Sequence, residues 1–234
     1  MLIVHHCKNE QAALDALTQA LLFAMQRKKG AFSLALSGGG TAQKMFKHWV
    51  RHWRADIAWE RLRFYWVDER CVPPDDEQSN FFHAKQLLLD PLGIPEEDIH
   101  RMRGEGDPQK EARRYGMSLK QTLPMANGLP RLDCAILGIG DDGHTASIFP
   151  NTPALLKKRA PCAVSAHPQS GQKRITLTGP TLLNAKHLFV ALIGREKKPI
   201  FKKLFHDGEV DVTLPSGYLL DKARWPALFT DFGD

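Results

Sequence analysis

The run Leu137-Gly138-Ile139-Gly140-Asp141-Asp142-Gly143-His144-Thr145-Ala146-Ser147 puts three glycines, two carboxylates and an imidazole side by side. The glycines match the GxGxxG spacing that lets a bare backbone hold a dinucleotide pyrophosphate at a helix N-terminus. Asp141 and Asp142 would repel that pyrophosphate. The acid expected about 20 residues downstream to hold a ribose is also missing, since no Asp or Glu occurs between Gly143 and Arg195. Carboxylates around a glycine turn suit proton transfer better, because imidazole takes a proton from water near neutral pH. His144 is therefore the candidate general base, with Asp142 or Asp68 orienting its ring. The other histidines include no HxH, HExxH or Cys/His ligand spacing, so no metal is expected.

Three further stretches carry candidate chemistry. Leu34-Ala35-Leu36-Ser37-Gly38-Gly39-Gly40-Thr41 reads as a strand entering a glycine loop and then a helix. Backbone N–H groups of Gly38, Gly39 and Gly40, the hydroxyls of Ser37 and Thr41 and the helix N-terminus would together cradle a phosphate. The loop lacks the GK[ST] ending of a Walker A motif and the first glycine of a GxSxG nucleophile elbow. Phe64-Tyr65-Trp66-Val67-Asp68-Glu69-Arg70 reads as a strand ending in three charges. Alternation in an extended chain puts Asp68 and Arg70 on one side, facing the site, and Glu69 on the other, in a structural role. The segments around Arg174 and Lys197 each place a cation at a strand end, a weak signal on spacing alone.

These residues need a scaffold that gathers strand ends. Phe32 to Ser37, Phe64 to Asp68, Cys134 to Ile139, Ala163 to Ala166, Ile175 to Thr178 and Leu188 to Ile193 read as strands. Glu10 to Arg27, Ala42 to Trp53, Ser79 to Leu89 and Pro108 to Leu123 read as amphipathic helices. Apolar strands alternating with helices imply an α/β fold with a mostly parallel sheet covered on both faces. No linker or repeat interrupts residues 1–234, so a single domain is expected. Ligands of such sheets bind beyond the carboxyl ends of the strands, where the strand order reverses.

Composition sets outer limits. The chain has 234 residues, 43% hydrophobic and 25% charged, ordinary values for a globular protein. No apolar run approaches the roughly 20 residues of a membrane helix, and Met1 to Cys7 lacks the layout of a signal peptide. Cys7, Cys71, Cys134 and Cys162 are scattered and form no CxxC pair, which points to reduced thiols in the cytoplasm. The formal charge is +6, and the acid-free span carries Lys157, Lys158, Arg159, Lys173, Arg174, Lys186 and Arg195. These cations are dispersed and no nucleic-acid motif accompanies them, so a small phosphorylated ligand is expected rather than nucleic acid or membrane.

Taken together, Leu36 to Gly39, Asp68-Glu69-Arg70-Cys71-Val72-Pro73, Ser79-Asn80, Gly138 to Pro150 and Arg174 to Leu177 resemble the 6-phosphogluconolactonases, in order and nearly end to end. The resemblance implies a Rossmann-like three-layer sandwich without a cofactor. It implies hydrolysis of 6-phospho-D-glucono-1,5-lactone in the oxidative pentose phosphate pathway, by a monomer or weak homodimer. His144 matches the family's catalytic histidine, and Arg174 and Lys197 match its phosphate-binding cations beside the Ser37 to Thr41 loop. Asp68, Arg70 and Asp142 match polar residues of the same pocket. Gly40, Ala42 and Lys198-Pro199 depart from the usual pattern. The alternatives are a deaminase of glucosamine 6-phosphate and a non-catalytic sugar-phosphate binder. The deaminase has a glutamate where this chain has Phe149, and an apolar ring cannot shuttle a proton.

Overall fold

The computed structural model describes residues 2–206 and 208–232. Met1, Asp207, Gly233 and Asp234 lie outside the described residues, including both ends of the expected 1–234 domain. In chain order the strands are β1 (Ile3–His6), β2 (Phe32–Leu36), β3 (Leu62–Trp66), β4 (Asp68–Arg70) and β5 (Ile99–His100). A short hairpin, β6 (Met125–Ala126) and β7 (Leu129–Pro130), precedes β8 (Cys134–Gly138), β9 (Cys162–Ala166), β10 (Lys173–Leu177) and β11 (His187–Leu192). A second hairpin, β12 (Phe205–His206) and β13 (Glu209–Val210), is followed by β14 (Pro226–Thr230).

Seven strands form one sheet in the order β1-β14-β11-β8-β2-β3-β5, and every pairing in it is parallel. All residues of β2 and β14 are buried. That continuous burial, without alternation, is what a sheet covered on both faces requires. The helix Glu10–Gln26 starts where the Asn9 side chain accepts the Ala12 N–H at 2.8 Å. It buries Leu14, Leu17, Thr18, Leu21 and Met25 at helical spacing. Trp49, from the helix Gly40–His52, donates its indole N–H to Thr18 Oγ1 at 2.9 Å, which ties the two helices together.

From β2 the chain proceeds to β3 and β5 on one side, whereas from β8 it proceeds to β11 and β14 on the other. The order therefore reverses between β2 and β8, and the loops that leave these neighbours diverge. The two strands part beyond Leu34↔Cys134 and Ala35↔Ala135. Past that point Ser37 Oγ donates to the Ile136 carbonyl at 2.7 Å, a side chain standing in for a ladder bond. At the opposite ends of the same strands, Asp133 accepts from the Ser33 N–H and Oγ at 2.9 Å, from Lys186 at 2.8 Å and from Lys28.

Two sequence expectations need correction. The segments Ala163 to Ala166 and Ile175 to Thr178, expected in the main sheet, belong with β4 to a separate antiparallel sheet of order β4-β10-β9. The link from Ala166 to Lys173 is too short for a parallel crossover, which needs a dozen residues or more. It folds back as a hairpin with Gly171 at φ +70°. The run from Phe64 to Asp68 is also not one strand. Val67 donates its N–H to Leu36 in the main sheet and accepts the Leu177 N–H from the small one, so the chain changes sheets there.

Candidate active site

The loops that leave β2 and β8, together with the small sheet, enclose a cleft of about 450 Å³ at the reversal point. Ser37, Gly38, Gly39, Gly40, Thr41, Asp68, Arg70, His144, Arg174 and Lys197 all line it. Asp142 does not. It stands behind His144, with its Oδ1 2.5 Å from Nδ1 and 3.0 Å from the His144 N–H. A carboxylate only accepts, so Nδ1 carries the proton of the neutral ring and the lone pair lies on Nε2. No protein group among the described residues engages Nε2. Burial pushes the Asp142 carboxyl up, but the His144 N–H and imidazole more than offset it, and the net value lies below the usual range.

The glycines of this turn serve the imidazole. A Cβ at Gly140 would lie 2.0 Å from Cε1 of His144, so the ring rests directly on that glycine's backbone. Gly143 adopts φ +86°, and a Cβ there would also strike Leu214. The turn is closed by Gly140 N–H to the His144 carbonyl and Gly143 N–H to the Gly140 carbonyl, both 2.9 Å. Those two donors and the His144 N–H are therefore committed inside the turn. They are not free to serve as oxyanion donors.

Asp68 is buried and makes no hydrogen bond to His144 among the described residues, whereas Asp142 does and orients the ring. Asp68 Oδ2 accepts from Ser147 Oγ at 2.6 Å, and Oδ1 accepts from Asn80 Nδ2 at 3.3 Å. The Ser147 contact depends on a tight turn in which Ala146, another residue of the cleft wall, takes φ +48°. Left-handed backbone is costly for an alanine and persists only where the surroundings fix it. Glu69 points the other way, as alternation requires. It is buried and accepts from the N–H groups of Arg70, Asn80 and Phe81 and from Ser79 Oγ, between 2.7 and 3.0 Å. These bonds clamp the helix start at Asn80 beside β4. Burial holds the Glu69 carboxyl above its usual range despite the N–H donors.

The cationic wall comes from the small sheet, where Arg70 and Arg174 are direct cross-strand partners. Like charges placed opposite one another are unfavourable, and neither arginine has a carboxylate partner among the described residues. The Nε of each is buried without an acceptor. Burial, and then the Arg70 charge, depress the Arg174 pKa, although a guanidinium remains protonated throughout. An anion between the two would relieve both costs. Arg174 also lies over the Phe149 ring, 5.8 Å from its centroid, and the His144 ring packs against the same phenyl at 4.7 Å. Lys197 is paired instead, with Nζ 2.7 Å from Asp141.

The third side is the start of the helix Gly40–His52, which follows Gly39 at φ +84° and has no side-chain cap. Its first-turn N–H groups have no intrahelical acceptor and open onto the cleft. Ser37 contributes less than its sequence suggests, because its hydroxyl proton is committed to Ile136. Asn80, Ile139, Ala146 and Glu196 also line the cleft and were given no site role from the sequence. Asn80 had a signal in Ser79, which caps its helix by accepting the Phe82 N–H at 3.2 Å. A Cβ at Gly38 would lie 1.7 Å from Asn80 Oδ1, so the close approach requires a glycine there. Among the described residues no group of three or more His, Cys, Asp or Glu could hold a metal ion.

A parallel α/β sheet that holds a histidine–aspartate pair and a cationic wall at its reversal point is the architecture of an α/β enzyme site suited to an anionic ligand. The family model of glucosamine-6-phosphate isomerases/6-phosphogluconolactonase matches residues 8–225, and the chain belongs to that family. It is 38% identical to the 6-phosphogluconolactonase of Treponema pallidum, over 89% of this chain and 87% of that protein. With the 6-phosphogluconolactonase of Haemophilus influenzae it shares 37% identity over 83% and 82% of the two chains. Among solved structures, a devB protein superposes with a TM-score of 0.89 at 31% identity, covering 98% of this chain and 96% of the other.

Proposed function

We propose that this protein hydrolyses 6-phospho-D-glucono-1,5-lactone to 6-phospho-D-gluconate, the lactone-opening step of the oxidative pentose phosphate pathway. The observation that carries this reading is the Nε2 of His144, unengaged among the described residues, backed by Asp142 and facing a cleft whose wall holds two arginines that have no carboxylate partner among those residues. In chemical class the reaction is hydrolysis of a carboxylic ester, carried out in the cytoplasm. Curated relatives named 6-phosphogluconolactonase, matched over most of their length, support the assignment.

Nε2 of His144 draws a proton from a water that attacks the lactone carbonyl, and Asp142 stabilises the resulting imidazolium. Collapse of the tetrahedral intermediate breaks the ring C–O bond, and the imidazolium returns the proton to the departing ring oxygen. General-base help of this kind is worth about 10²–10⁴ in rate. Arg70 supplies charge for the oxyanion, since the N–H groups of Gly140, Gly143 and His144 are committed within the turn. Arg174, Lys197 and the open N–H groups at Gly40 and Thr41 hold the phosphate. Binding energy from that remote group positions the carbonyl.

The deaminase alternative is disfavoured at Phe149, which is fully buried against His144 where the sister enzyme carries a carboxylate. The test is to generate the lactone in situ from glucose 6-phosphate and follow its hydrolysis above the spontaneous rate, with glucosamine 6-phosphate assayed in parallel. Acceleration is expected for the lactone, with His144→Ala lowering kcat by about 10²-fold or more. Ammonia release from the amino sugar without a lactone effect would overturn the reading, and a wild-type kcat in His144→Ala would overturn the role of the histidine.

A further inference from the structure

The cations of the cleft are not equivalent. Among the described residues Arg70 and Arg174 face each other without a carboxylate partner, whereas Lys197 is already occupied by Asp141. The two members of that pair sit differently, since the Lys197 side chain is 21% exposed and the Asp141 side chain 86%. Asp141 lines the same cleft as Lys197 but leaves most of its carboxylate in solvent. The bond to Lys197 is the only side-chain hydrogen bond of its carboxylate among the described residues. Its neighbour Asp142 is held by His144 from two sides, so the adjacent carboxylates have separate tasks.

We propose that Asp141 is a specificity-determining residue that acts as an internal competitor for the ligand's phosphate. Its carboxylate occupies Lys197 in the empty cleft and gives it up when a phosphomonoester binds. The inference rests on the reading of the cleft as a sugar-phosphate site. A phosphate dianion carries more charge than a carboxylate and offers three acceptor oxygens, so it takes Lys197 in preference. A carboxylate left beside that dianion would be a like charge at close range, and Asp141 avoids this by swinging into the solvent it already faces.

The effect is modest because the Asp141 end of the pair is well hydrated, and exposed ion pairs are worth only about two- to five-fold in an equilibrium constant.

The experiment is a calorimetric titration of inorganic phosphate into the wild type, Asp141→Asn, Lys197→Met and the double variant at low ionic strength, with steady-state lactone kinetics alongside. Asp141→Asn is expected to bind phosphate about two- to five-fold tighter and to lower the lactone KM by a similar factor. In the Lys197→Met background the same change is expected to have little effect. Unchanged or weaker phosphate binding by Asp141→Asn overturns the proposal, as does equal tightening with and without Lys197. The titration uses no lactone. Tighter phosphate binding by a protein that fails to hydrolyse lactone would therefore count against the proposed activity while supporting the competitor role of Asp141.

Discussion

Gly140 shows how strictly one residue can be bound to another's chemistry. The His144 ring lies where a Cβ at position 140 would be, so Gly140→Ala drives the imidazole away from its pairing with Asp142. The clash falls on the far end of a side chain and not on backbone, and Gly140 has no positive φ to lose. The expected outcome is a fall in kcat of about 10²-fold, since misplacement by about 1 Å costs that much, with thermal stability within a few degrees of wild type. Steady-state kinetics and a melting curve on the same preparation check it. At this scale the sequence was informative where a residue's chemistry is intrinsic. His144 beside carboxylates and the Asp68/Arg70 alternation could be read directly. The state of each donor could not, because it depends on partners far along the chain. Ser37 donates its hydroxyl to the Ile136 carbonyl, and Lys197 meets Asp141.

Among the elements, strand and helix patterns were legible wherever the period was regular, as in Phe32–Leu36, Cys134–Gly138 and the helix Glu10–Gln26. The small sheet was not, since an apolar strand reads alike in either sheet and only the length of the connection betrays the direction of pairing. The edge strand Ile3–His6 and its inner neighbour Pro226–Thr230 were also not read from the sequence. The helix expected over Ser79 to Leu89 continues to Leu92 through a π-helical turn at Lys85–Leu89. Pro91 explains the widening, because it has no N–H to donate and its ring would clash with the carbonyl four residues back in a regular helix. Pro199 is harmless by contrast, lying in the first turn of Lys198–Leu204 where a missing N–H is not needed.

Asp133 gives the element scale its own prediction. It joins the N-terminal ends of β2 and β8, and burial raises its carboxyl while Lys186, Lys28 and Ser33 bring the net value below the ordinary 3.8. A depressed folded value stabilises the protein above the ordinary carboxyl range, and the contribution is lost as pH falls through the folded value. Asp133→Asn is expected to cost about 2–3 kcal/mol at neutral pH, at the low end for a broken buried pair because both lysines can turn to solvent. Urea unfolding of both proteins from pH 7 to pH 3 checks it, the difference between them shrinking with acidification.

For the whole molecule, the unrelieved arginine pair means that part of the fold's stability is withheld until an anion arrives. Phosphate at a hundred times its dissociation constant adds about 2.7 kcal/mol, a rise in Tm of roughly 5–10 °C for a chain of this size. Arg174→Met is expected to abolish most of that rise. Without ligand the same variant should melt no lower than wild type, because Arg70 then faces no like charge. Calorimetric scans with phosphate and with chloride at equal ionic strength separate this specific effect from screening. A marked loss of stability in ligand-free Arg174→Met would contradict it.

Phe149 touches His144 on one side and Arg174 on the other, and it is completely buried between them. Protein interiors are close-packed and barely compressible, so the phenyl ring behaves as a gauge block that fixes the gap between the base and the anion-binding wall. On the proposed mode of binding, only a sugar whose carbonyl and phosphate are separated by that gap can satisfy both ends at once. A shorter or longer phosphorylated lactone would then be rejected by length before any hydroxyl group is read.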